Sequence, residues 1–220
     1  ILKIYFNELD LKMEFIYGMT NLLVIEDCRQ YREFIQNIIK SIDEDDDKNI
    51  LSDEDIILNK SKTIDVVTTV FGFDYNNKKI QKAVLDELYK IAMNEEHYGK
   101  SMELLNEIEK YLYELEWRLD YDLNISCPDF HNIIKTGVNG LIIPDSIIEK
   151  MLGYIRITAV LLKSKIIMLI DVQKYFSYEE WKIIEEKAAA EEIILFCIEN
   201  REVFETQNKI IIDNDGCRVV

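Results

Sequence analysis

Apolar positions along the chain follow two periods. Continuous β-branched runs at 22–25, 64–70, 165–171, 192–199 and 209–213 read as strands. Three of them, 22–25, 166–170 and 193–198, do not alternate with polar residues, as strands covered on both faces by helices require. A mostly parallel sheet is the expectation. Upstream, 1–6 and 13–17 are separated by 7–12 and predict a hairpin on the edge of that sheet. Elsewhere the period is 3.6. Tyr31, Phe34, Ile35, Ile38 and Ile39 line one face of a helix after the first buried strand, and Ser177 with Glu180 forms a capping box opening a helix between two late strands. Strand, helix, strand is the grammar of an α/β fold.

That grammar lapses between 76 and 162, where no strand is evident. Leu105, Ile108, Leu112, Leu115 and Leu119 recur every three or four residues, giving one apolar seam on a helix expected to begin near Glu95. The partner expected for that seam opens at Ser146 and Glu149, just after Pro144, and runs through Ile148, Met151, Leu152, Ile155, Ala159 and Leu162. The chain therefore reads as an α/β head, 1–75 and 163–220, interrupted by an α-helical leg, 76–162, built on two antiparallel helices. No internal repeat is visible.

Composition narrows the functional classes. With 220 residues and 48% apolar letters the chain has ample material for a core, which excludes disorder. Its 42 acidic against 26 basic residues leave a formal charge of −16, which excludes a general basic coat; any contact with nucleic acid has to be local. No apolar run is long enough to span a bilayer, and Lys3, Glu8, Asp10, Lys12 and Glu14 interrupt the only early candidate for a signal segment, so a cytoplasmic protein with no membrane partner is expected. Ile1 in place of a starting Met reads as a processed start or a cloning scar, which leaves the true start open. Cys28, Cys127, Cys197 and Cys217 lie far apart without a C-x-x-C pair, which argues for inert thiols rather than a zinc or disulfide framework. His97 and His131 form no triad or metal motif.

Charge is segregated along the chain. Eight acids and one lysine occupy 43–55, whereas 60–82 holds Lys60, Lys62, Lys78, Lys79 and Lys82 against only Asp65 and Asp74. A second basic stretch, 150–170, carries Lys150, Arg156, Lys163 and Lys165 with no acid. If such lysines converge, they grip phosphates with steep salt dependence and no base preference, and no helix-turn-helix, zinc finger or RNA-binding aromatic signature indicates base reading.

Site motifs mostly fail on inspection. A nucleotide-hydrolysing fold carries a glycine-rich cradle after its first strand, because backbone amides must approach phosphate oxygens. Here the residues are Glu26, Asp27, Cys28, Arg29 and Gln30, which argues against a divergent P-loop-type enzyme. The pair Gly137 and Gly140 reads as a turn. Asp43, Asp45, Asp47 and Glu54 match positions 1, 3, 5 and 12 of a calcium loop, but Lys48 replaces the turn glycine, so a mobile acidic loop is expected over a calcium-responsive interaction protein. Glu116 and Asp120, four apart, with Asp122 following, place hard oxygen ligands at a helix end, a donor set that suits calcium.

Several segments then carry a resemblance to a known family: "NLLVIEDC" at 21–28, "TTVFGFD" at 68–74, "LEWRLDYD" at 115–122, "IIKTGV" at 133–138 and "ILFCIENREVF" at 194–204. In order and spacing, from Gly18 onward, the chain resembles the small spacer-acquisition accessory protein of type II-A CRISPR loci. That resemblance implies a homotetrameric ring with a P-loop-kinase-like head lacking nucleotide chemistry, non-enzymatic binding of double-stranded DNA ends through a positively charged channel, and stabilisation by calcium. It also implies the CRISPR integrase proteins and the type II effector nuclease as partners. Carried over by position, it places Glu116, Asp120 and Asp122 among the calcium ligands, in a stretch poorer in carboxylates than the family's, with Arg118 and Asn124 nearby. It makes Lys135, with the lysines around 68–82, the candidates for the channel.

Overall fold

Two antiparallel strands, β1 (Leu2–Phe6) and β2 (Leu11–Glu14), open the chain as the predicted hairpin. Their alternating burial points Leu2, Ile4, Phe6, Leu11 and Met13 to one side. The next strand, β3 (Thr20–Ile25), is buried throughout and runs into α1 (Cys28–Glu44), whose Phe34, Ile38 and Ile42 are buried at the predicted period. The chain continues through β4 (Asn49–Asp53), β5 (Ile56–Ile57), the single turn α2 (Lys60–Thr63) and β6 (Ile64–Val67). Three helices follow, α3 (Lys78–Ala92), α4 (Tyr98–Glu116) and α5 (Phe130–Gly137), and then α6 (Ile147–Ile157), which ends in a π-helical turn, Thr158–Leu162. The last elements are β7 (Ile166–Ile170), α7 (Tyr178–Ala190), β8 (Ile194–Glu199), β9 (Asn208–Ile212) and β10 (Arg218–Val219). These come from a computed structural model that describes residues 1–54, 56–126 and 128–219, in which the chain divides into two units, Ile1–Asp74 with Ile143–Val220, and Tyr75–Ile142.

The first unit is α/β. Its larger sheet has the order β10-β9-β3-β8-β7-β6, parallel except for β10. Its strands β3, β7 and β8 are buried on both faces, which is why their sequences do not alternate. The hairpin does not extend this sheet. Instead β2-β1-β4-β5 form a separate antiparallel sheet, and its inward side chains join Leu23, Ile25, Met168, Phe196 and α1 in one core. Phe6 packs edge-on to Phe34, with ring centres 5.3 Å apart, and stacks on Phe196 at 6.0 Å. The other face of the large sheet is covered by α7, on which α6 packs. Met151, Tyr154 and Ile155, given at the sequence level to a leg helix, are buried in this unit. The leg expected over 76–162 is thus a unit of 75–142.

Several buried polar side chains of the first unit are hydrogen-bonded at one end of the sheet. The Asn21 amide oxygen accepts from Ile16 N–H at 2.7 Å, and its NH₂ donates to the carbonyls of Leu195 at 2.9 Å and Ile16 at 3.0 Å. Beside it, Glu185 accepts from the amide and hydroxyl of Thr20, whose hydroxyl in turn accepts from the Trp181 indole at 2.8 Å. The capping box at Ser177 and Glu180 forms as predicted.

In the second unit, Ile80 and Leu105 are buried and α3 packs on α5. The remaining seam residues Ile108, Leu112, Leu115 and Leu119 are exposed, and Trp117 is 89% exposed. Among the described residues no helix is long and apolar enough to cross a membrane.

Asn21→Ala strips partners from several buried backbone groups at once. We expect a loss of about 2–3 kcal/mol, read from the midpoint of a urea unfolding curve at unchanged slope.

Candidate nucleic-acid interface

Four of the lysines singled out from the sequence lie on α3 and α5, which pack on one another. Asn77 caps α3 by accepting from Ile80 N–H at 3.0 Å, and Asp129 caps α5 by accepting from His131 N–H at 3.1 Å. These caps fix where each helix begins and hence which residues face out. Lys78, Lys79 and Lys82 are exposed in the first half of α3, and Lys135 is exposed in the last turn of α5. Asp86, one turn after Lys82 on α3, lies 4.0 Å from His131 of α5, so an acid stands among these lysines where the two helices meet. Four of the six lysines singled out from the sequence belong to the second unit, three exposed on α3 and one on α5.

Two others belong to the first unit. Lys62 is exposed on α2. Lys60 is 4% exposed, its ammonium donating to the Asp46 carbonyl and lying 3.5 Å from Asp45. It is a structural lysine, and its assignment to DNA contact is corrected: a buried, paired ammonium has no reach to an outside phosphate. In the second basic stretch, Lys165 lies 3.5 Å from Asp53.

The acidic loop expected at 43–54 is also rebuilt. Asp43 ends within α1, Asp45 takes a left-handed conformation (φ 51°) to stop the helix, and Asn49–Asp53 enter a ladder with β1. The Asp46 carboxyl accepts from the Ser41 hydroxyl, which holds it below the usual carboxylate range. Asp45 thus stops the helix and Asp46 fastens the loop that follows. The other proposed metal set does not gather either. Glu116 lies in the last turn of α4 and accepts a hydrogen bond from Leu123 N–H, while Asp120 and Asp122 are exposed on the turn beyond. Among the described residues, no group of three or more His, Cys, Asp or Glu side chains is placed to hold a metal ion. As arranged, Glu116, Asp120 and Asp122 do not fit the six-to-eight-oxygen cage that calcium takes.

The ends of the parallel strands, where α/β folds hold phosphates, are anionic. Asp27 caps α1 by accepting from Gln30 N–H at 2.8 Å, so the amide a phosphate would use is already engaged. Glu26 precedes it and Asp171 follows β7. Glu199, at the end of β8, accepts from the amides of Val172 and Gln173, both at 3.0 Å. Burial pushes its carboxyl up to about 7, and neighbouring Asp171 adds to the rise. The sequence gives no sign of Glu199, because nothing in an apolar run marks its last residue as buried. Cys197 in that run is buried, as expected, and Cys28 and Cys217 are exposed; Cys127 lies outside the described residues.

A family model described as CRISPR-associated protein (Cas_Csn2) matches residues 41–216, most of the chain. No curated protein matches it.

Glu199 should leave a signature in pH-dependent stability. Its carboxyl takes its proton more readily folded than unfolded, so raising pH from about 4.5 to 7 ionises the unfolded chain first and costs stability of order 3 kcal/mol. Thermal melts across that window should show the fall in the native chain, and a flatter profile in Glu199→Gln.

Proposed function

The chain belongs to the CRISPR-associated Csn2 family, and on that footing we propose that it is a non-enzymatic, cytoplasmic protein that binds double-stranded DNA ends without reading sequence, assembled as a homotetrameric ring. It serves the capture of new spacers beside the integrase proteins and the effector nuclease. The observation that carries this reading is the set of exposed lysines Lys78, Lys82 and Lys135 on the two packed helices α3 and α5 in a chain of net charge −16. Exposed lysines on neighbouring helices present a local field opposite to that of the whole protein, which is what a polyanion requires of an acidic partner. Repetition of the cluster around a ring multiplies it, since several subunits contact one duplex at once.

Self-assembly has its own support. Ile108, Leu112 and Leu115 present an apolar row on α4, continued by Leu119 in the turn beyond, that is exposed in the single chain, and rows of this kind mark interaction surfaces. A second copy of α4 is a matching cover, because an isologous contact pairs a patch with itself. The anionic strand ends fit a protein that grips DNA elsewhere and leaves the nucleotide position of the α/β fold unused.

Gel shifts on a linear duplex and on the same duplex closed into a circle test the binding mode; only the linear form should shift. Replacing Lys78, Lys82 and Lys135 with Gln should weaken binding uniformly across sequences and lower the slope of log K against log salt by roughly 0.9 for each phosphate no longer neutralised. Equal shifts of circles, or no shift at low salt, count against the reading. With Glu116, Asp120 and Asp122 apart, calcium and chelator should leave the shifts unchanged.

Light scattering checks assembly separately. The mass should correspond to four copies, and Ile108→Glu with Leu112→Glu should reduce it, while circular dichroism stays constant.

A further inference from the structure

Between α3 and α5, wholly inside the second unit, lies a cavity of about 260 Å³. Ile80, Val84 and Leu85 from α3 and Val138 and Leu141 beyond α5 give it apolar walls. Three polar side chains, Gln81, Asn139 and Lys135, reach the same space, and all three residues are exposed. Its back wall is held in place. The Asn76 side chain clamps the main chain of Leu141, accepting from its N–H at 2.8 Å and donating to its carbonyl at 3.3 Å. Gly140 permits this clamp: it has φ 118°, and a Cβ there would come 2.2 Å from the Asn76 amide oxygen. A cavity with a fixed wall, an apolar interior and a few polar groups is the form that small-ligand sites take.

Its surroundings specify the occupant. Lys135 itself lines the cavity, and the helix segment that walls it carries the exposed Lys78 and Lys82, with Asp86 one turn beyond Lys82. An anion is favoured at the mouth. The interior offers a slot for one planar ring system, with the carboxamides of Gln81 and Asn139 each able to donate and accept along a ring edge. We propose that this cavity receives one unpaired nucleobase at the terminus of a bound duplex, with Lys135 on the phosphate of that nucleotide. The proposal rests on the DNA-end reading and deepens it: the preferred end is frayed or carries an overhang rather than being blunt. A terminal base costs little to unpair, and burying its face in an apolar slot repays that cost.

The test uses the full chain and three linear duplexes: blunt, with one unpaired 3′-terminal 2-aminopurine, and with 2-aminopurine paired internally. We expect the overhang duplex to bind about five- to tenfold more tightly than the blunt one, with a change in 2-aminopurine emission only when the base is terminal and unpaired. Val84→Phe, which fills the slot, and Lys135→Gln, a surface change that spares the core, should each bring the ratio of overhang to blunt affinity towards one. Free deoxyadenosine monophosphate at the concentration of the DNA should not displace the overhang. Equal affinity for blunt and overhang ends, a preference that survives Val84→Phe, or full displacement by the free nucleotide overturns the proposal while leaving DNA binding intact. Failure of both linear duplexes to bind overturns the DNA-end reading and the pocket with it.

Discussion

Everything in the α/β unit is arranged around three strands that have no solvent face. Because β3, β7 and β8 are buried on both sides, the sheet needs two covers. One cover is α7, on which α6 packs, and the other combines α1 with a second small sheet. This demand explains why the N-terminal hairpin leaves the edge of the large sheet and lies in a layer of its own with β4 and β5. Several of the interior's polar side chains are hydrogen-bonded: Thr20 bonds Glu185 and Trp181, and Asn21 bonds the main chain of Leu195, since an orphaned group there forfeits more than a matched pair gains. Most acids are driven to the surface by the same rule, with Glu185 and Glu199 the buried ones among the described residues, each hydrogen-bonded.

Much of this is legible in the sequence because the signals are local. The five strand runs and the capping box at Ser177 appear where expected, and the helical period of α1 buries the residues it predicts. What escapes is set by long-range contacts. The strand β4 has two buried residues, Asn49 and Leu51, so its alternation is too short to stand out beside the preceding acids, and it exists because β1 offers it a ladder. The eight-residue α5 is set by the Asp129 cap and by packing on α3, neither of which periodicity reveals. For α6 the apolar spacing identifies the helix but not its partner, since the same spacing serves a coiled seam or the back of a sheet.

The candidate site divides along the same line. Lys78, Lys79 and Lys82 are neighbours in sequence and remain so in space, so a count of charge along the chain reveals them. Lys135 joins them only through the packing of α5 on α3, and the family resemblance points to it where no pattern does. Lys60 shows the converse error. By count it is one more cation in a basic window, but the stop of α1 at Asp45 brings carboxylate and carbonyl oxygens onto its ammonium, and the charge is consumed inside the fold. The carboxylates near 120 illustrate that ligands close in sequence are not thereby close enough to share an ion, since Glu116 is engaged by a backbone amide of its own turn.

These placements give the two ends of the chemistry opposite signs. At the strand ends, Glu26, Asp27, Asp171 and Glu199 leave the usual phosphate position anionic, and burial keeps Glu199 protonated further towards neutral pH than an ordinary glutamate, which limits how much charge accumulates there. In the helical unit, Lys78, Lys82 and Lys135 stand exposed on α3 and α5 with Asp86 at the contact of the two helices, and the unit's twelve acids outnumber its eight basic residues. A polyanion approaching such a molecule is repelled at a distance and attracted at short range, within about a Debye length of the cluster. Under the proposed DNA-end reading, such a charge pattern would favour a terminus over a continuous duplex, because a terminus presents fewer phosphates to the repelling surface for each one it brings to the lysines.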